Sequence, residues 1–189
     1  MDTNRLQRWI NSSSGLAAIE DFMIVVAQGL GRLDVRLIED DRKLCETIKL
    51  PLEQRDITDE SVRITEGFTI SYLWVLGAYE LVRAVNQRLV DNSGLFDEEL
   101  KTNVNEVKLL FERLRIPLAK FEPSRRHRDT DDYIAYPIIH REIGVSWQLS
   151  QTVYMSRSEL SEKLLDLLEK IKIASDSYGY KEIKRIRFS

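Results

Sequence analysis

Cysteine is nearly missing from this chain. Cys45 stands alone, so no intrachain disulfide can form and nothing requires an oxidising compartment. A lone thiol of this kind is expected to be buried, as a small apolar side chain. Glycine (8) and proline (4) are too scarce among 189 residues for a collagenous or low-complexity chain. Long apolar runs are also lacking. The most apolar stretch, Ile70 to Tyr79, reaches about half of the ~20 residues a membrane span needs, and Ser71 lies within it. Near the start, Glu20 and Asp21 interrupt the place where a signal peptide would have its apolar core. A cytoplasmic protein with no membrane partner is therefore expected. Charge of one sign is in short supply too: 28 basic and 31 acidic side chains leave a net charge of -3. No global field draws the molecule to nucleic acid or an anionic surface, and any such contact has to come from a local patch.

Well-specified chemical motifs are absent. The chain has no G-x-x-x-x-G-K-[ST] loop, no G-x-G-x-x-G, no H-E-x-x-H, no G-x-S-x-G and no C-x-x-C. His127 and His140 are its only histidines, which is thin provision for a metal centre. Neither a metal nor a cofactor is expected, and no enzyme class is indicated.

What is present is 43% hydrophobic and 31% charged residues, enough to fill a core and cover it. With no repeat and no Gly/Ser/Pro linker, residues 1–189 read as one domain. A short amphipathic piece (Leu6, Trp9, Ile10) precedes Ser12-Ser13-Ser14-Gly15, where a serine can cap a helix. Ile19, Phe22, Val26, Leu30, Leu33, Leu37, Leu44 and Ile48 then recur at helical spacing up to Pro51, with Gly29 and Gly31 marking a bend or a close crossing.

A second helix, opened near Asp59 and Glu60, carries Phe68, Tyr72, Val75, Tyr79, Val82 and Leu89 on one stripe. Leu73, Trp74, Leu81 and Val85 lie off that stripe, so the helix is expected in the middle of the domain. After the turn at Asp91-Asn92-Ser93-Gly94, a third helix starts at Asp97 and is expected to close at Pro117. Ile134, Tyr136 and Ile138 alternate with period two, as do Val145, Trp147 and Leu149 across Gly144. Pro137 puts its strand at an edge. Ser156 with Glu159 has the form of a capping box, and Leu160, Leu164, Leu167, Leu168 and Ile171 give a last amphipathic helix. Its outer face is expected to carry Glu159–Lys163 and Asp166–Lys170 pairs. The predicted fold is mainly α: a bundle of three long helices and one shorter helix, with a small antiparallel β-hairpin inserted near 133–155 before the last helix. The tail from Ser175 to Arg187 ends in Lys184-Arg185-Ile186-Arg187 and reads as a strand, a docking arm or disorder.

Chemistry concentrates in the loop after the third helix. From Arg113 to Arg128 there are six basic residues against Glu122 alone. Guanidinium forks at Arg125, Arg126 and Arg128 suit phosphate oxygens. They equally suit the acidic stretch Glu39–Glu60, with its eight carboxylates against four basic residues. His127, Asp129, Asp131 and Asp132 alternate in a way divalent metals accept, without a fourth ligand. Tyr133, Tyr136, Trp147 and Tyr154 either close the small sheet onto a helix or stack bases beside the basic loop. Glu80, Arg83 and Asn86 on the second helix form a further candidate cleft, facing the loop if they are not its solvent-facing strip.

Two functions fit these residues. One is a non-enzymatic helical interaction module that self-associates as a homo-oligomer. The other is a nucleic-acid- or nucleotide-directed protein, extending to a hydrolase, in which Arg125, Arg126 and Arg128 neutralise phosphate and His127 is the catalytic acid/base.

Overall fold

The computed structural model describes residues 2–92 and 94–178. Ser93 and the basic tail from Gly179 through Arg187 lie outside them. Among the described residues the chain is mainly helical, with five helices and a three-stranded antiparallel sheet before the last.

Helix α1 (Thr3–Ser13) is capped by Asp2, whose carboxylate accepts from the Arg5 amide at 3.0 Å. The hydroxyls of Ser12, Ser13 and Ser14 donate back to the carbonyls of Trp9, Ile10 and Asn11. Engaged in this way they close α1 and do not open the next helix. A 3-10 turn at Ser14–Ala18 follows, and α2 runs Phe22–Ile48. Its core face is Met23, Ala27, Leu30, Asp34, Leu37, Asp41 and Leu44, a heptad-like series with two aspartates in it. Phe22 and Val26, expected on that face, are 69% and 37% exposed. The side turned inward is that of Met23, Ala27 and Gly31, where Trp9 docks so closely that a Cβ on Gly31 would meet its side chain at 2.5 Å. Gly31 is thus the close crossing, whereas Gly29 faces open space.

Helix α3 (Ile57–Asp91) starts at Asp56, which accepts from the amides of Thr58 and Asp59 at 3.0 Å. It packs between α2 and α4 (Glu98–Lys120), and the Trp74 indole donates to the Leu30 carbonyl at 3.0 Å. The helix is not wrapped all round. Leu73, Glu80, Arg83 and Gln87 share an exposed strip, and before Ser71 only Glu60 is buried. Pro117 does not end α4. It falls in the last turn with its ring buried, and the helix stops at Phe121, in left-handed conformation at φ 56.

Strands β1 (Tyr136–His140), β2 (Gly144–Gln148) and β3 (Tyr154–Ser156) form the sheet in that order, so the hairpin gains a third strand and Pro137 sits on an edge as expected. Helix α5 (Arg157–Tyr178) follows β3 directly. The capping box is present: Glu159 accepts from the Ser156 amide at 3.2 Å, and the Ser156 hydroxyl accepts from the Glu159 amide at 3.1 Å. At 22 residues α5 is nearly as long as α4, which has 23, and the short helix is α1, which has 11. Of the pairs expected on α5, Glu159 is held instead in the capping box with Ser156, and Asp166 and Lys170 turn to other helices. Asp166 faces Arg8 at 3.6 Å and Lys170 reaches the Asn103 side-chain oxygen at 3.2 Å. No helix among the described residues is long and apolar enough to cross a membrane.

Candidate functional site

The sheet is held to the helices by a buried ionic cluster. Asp34, fully buried on α2, accepts four hydrogen bonds: from Arg157 Nη1 at 2.8 Å, Ser161 Oγ at 2.6 Å, Arg5 Nε at 2.7 Å and Trp9 Nε1 at 3.0 Å. Arg157, also without exposure, gives its second arm to Asp41 Oδ2 at 2.8 Å. Asp41 Oδ1 in turn accepts from the Val145 amide of β2 at 3.3 Å. Burial pushes the Asp41 carboxyl upward against the pull of Arg157. Periodicity alone does not find this cluster, although Asp34 and Asp41 each stand four residues after a core leucine, which is the one signal available in the sequence. Beside it the Cys45 thiol, buried as expected and with its pKa raised by burial, donates to the His140 carbonyl at 3.4 Å.

The basic loop leaves α4 and is tied down at both ends. A 3-10 turn at Arg125–His127 is set by the His127 amide donating to the Ser124 carbonyl at 2.8 Å. The His127 carbonyl then accepts from the amides of Thr130 and Asp131 at 3.2 and 2.9 Å. Arg113 of α4 grips Asp131 with a two-pronged contact at 2.7 and 2.8 Å. Burial alone would push the Asp131 carboxyl up, but Arg113, through hydrogen bonds and charge, holds it below the ordinary carboxylate range. At the far end the Asp132 amide donates to the Leu149 carbonyl at 2.6 Å, joining the loop to the end of β2.

This arrangement sorts the six basic residues. Arg113 is committed to Asp131, Arg115 lies over the Tyr79 ring at 5.2 Å, and Lys120 stands 4.0 Å from Glu122. Arg125, Arg126 and Arg128 are exposed and make no ion pair among the described residues. The acidic stretch does not come to them. Glu39 and Glu46 pair with Arg42, Glu60 with Arg55, Asp59 with Arg63 and Asp41 with Arg157.

Arg126 and His127 border a cleft of ≈ 210 Å³ with Glu106, Glu112, Arg113 and Ser124. Glu80 and Arg83 do not line it; they pair with each other at 2.7 Å, half-exposed on α3. Asn86 borders a separate cleft with Glu98 and Lys101. Asp131 is turned inward, and among the described residues no three His, Cys, Asp or Glu side chains gather as a metal site.

The aromatic residues divide between the two faces of the sheet. Trp147 and Met155 point into the core. Across the strands Tyr136 is registered with Gln148 and Gln148 with Tyr154, which puts these three in one row on the opposite face. Both tyrosines of the row are 52% exposed. Tyr133, between the loop and β1, is exposed as well. Comparison with known proteins finds no matching family model, no similar curated protein and no similar solved structure, so the functional reading rests on this geometry.

Proposed function

We propose that this chain is an interaction module whose binding surface is the loop Arg125–Arg128, which takes a phosphate-bearing ligand. The observation that carries the reading is that Arg125, Arg126 and Arg128 have no carboxylate partner among the described residues, on a loop anchored to α4 and to the end of β2. Guanidinium groups left free on a fixed loop can take phosphate without first breaking an ion pair. Binding of inorganic polyphosphate to the full chain, followed between about 50 and 200 mM salt, tests it. Changing Arg125, Arg126 and Arg128 together to Gln is expected to weaken binding at least tenfold and to flatten the slope of log affinity against log salt by roughly 0.7–0.9 per lost contact. Unchanged affinity and slope would remove the reading. His127→Ala separates binding from catalysis. Retained affinity with unchanged turnover of a phosphodiester substrate assigns His127 a structural place, whereas retained affinity with lost turnover makes it the acid/base of a hydrolase.

Self-association is a second reading, favoured by α2. Phe22, Val25 and Val26 lie on one side of its first turns at 69%, 62% and 37% exposure, with Gly29 opening the surface one turn further on. Pairing with a second copy would cover these side chains, each contributing on the order of 1–3 kcal/mol when fully buried. Light scattering is expected to show a concentration-dependent dimer that Phe22→Asp abolishes. A wild-type monomer at every concentration would exclude this reading.

A further inference from the structure

We infer that the ligand of the basic loop is a single-stranded nucleic acid whose bases stack on Tyr136 and Tyr154, an assignment that rests on the phosphate-binding reading of the loop. The two tyrosines stand on the outer strands with Gln148 between them on the central strand, in one cross-strand row. Neighbouring strands are spaced by about 4.8 Å, so the two rings rise from positions about 9.5 Å apart, with an amide between them that can meet a base edge. Each ring is half-exposed, while on the opposite face Val145 and Trp147 of β2 and Met155 of β3 are packed into the core, which anchors the strands that carry the row. Exposed aromatic rings and arginines that make no ion pair among the described residues are the two parts that single-strand binders combine: cations follow the backbone, and aromatic rings take the bases. The Asp132–Leu149 bond ties the chain, four residues after Arg128, to the residue next to Gln148, so the arginine loop leads to the end of the sheet that carries the tyrosine row. A duplex keeps its base faces stacked inside and offers the tyrosines nothing.

The test uses the full chain with labelled oligo(U) and oligo(dT) of about 12 nucleotides, a duplex of the same length, and inorganic polyphosphate. Single strands are expected to bind more tightly than the duplex. Tyr136→Ala and Tyr154→Ala should each weaken single-strand binding by about 5- to 150-fold with the salt slope and polyphosphate affinity unchanged. Tyr136→Phe and Tyr154→Phe keep the ring and should bind within about twofold of wild type. Because both side chains are exposed, circular dichroism is expected to show all four variants folded. Duplex binding as tight as single-strand binding overturns the inference, as does wild-type affinity in both alanine variants. If the arginine variant still loses polyphosphate, stacking falls and the phosphate reading stands. Binding of none of the probes removes both and leaves the tyrosine row to a protein partner.

Discussion

Replacing Asp34 with alanine is expected to lower the free energy of unfolding by about 3–5 kcal/mol, a large share of the roughly 5–15 kcal/mol that holds a typical domain together. The carboxylate accepts from Arg157, Ser161, Arg5 and Trp9, and it is completely buried. Its loss leaves Arg157 with Asp41 as its one counter-ion among the described residues, where the Arg157 Nε already lacks a partner among them. It also strands the Trp9 indole N–H, and a buried donor without an acceptor costs about 1–3 kcal/mol by itself. Asp34→Asn keeps the shape but removes the charge and turns an NH2 toward two donors, Arg157 and Ser161 on one side or Arg5 and Trp9 on the other, so its loss should be comparable. Asp40→Ala is the control: its carboxylate is half-exposed, pairs only with Arg36 at 3.5 Å, and its removal should leave the unfolding midpoint where it is. Urea unfolding of the three variants makes the measurement. A loss below about 1 kcal/mol for Asp34→Ala would show that the cluster does not hold α1, α2 and α5 together.

Gly144→Ala is expected to cost about 3 kcal/mol or more, through two effects at one atom. Gly144 opens β2 with φ +75, a left-handed conformation that a Cβ disfavours by roughly 1–2 kcal/mol. That Cβ would also lie 2.5 Å from Asp41 Cβ and 2.6 Å from its Oδ2. Asp41 would have to swing away, giving up Arg157 and the Val145 amide, so the damage passes from the hairpin turn to the buried cluster. The contrasting substitution is Gly29→Ala, where a Cβ meets nothing within 4 Å inside α2. It should stabilise the chain by about 0.5–1 kcal/mol. Similar midpoints for both variants would mean that Gly144 is not held against Asp41 in solution.

The helices could be read from the sequence because their apolar positions repeat over many turns, and the hairpin because its strands alternate about Gly144. Errors came where a local signal had two outcomes. The serines at 12–14 can cap a helix from in front or back-bond to the turn behind, and here all three hydroxyls donate backward. Pro117 stops a helix in isolation, yet at the last turn of α4 the buried ring fits and the chain continues to Lys120. In the candidate site, the arginine loop and the tyrosines were visible as composition. Which arginines stay free was not, since Arg113 finds Asp131 and the acids of 39–60 find nearer cations.

Sequence alone determined the mainly helical class, the strand alternation, the helix start at Asp97, the capping box at Ser156 and the density of cations between Arg113 and Arg128, all features carried by residues a few positions apart. Only the tertiary structure decided that Arg157 sits between Asp34 and Asp41, partners separated by 123 and 116 residues, and that Tyr136 and Tyr154 face outward while Trp147 faces in. The physical reason is range. Helical and strand periodicity is enforced by backbone hydrogen bonds between near neighbours, whereas the partner of a buried charge and the outward face of a three-stranded sheet are set by how distant elements pack.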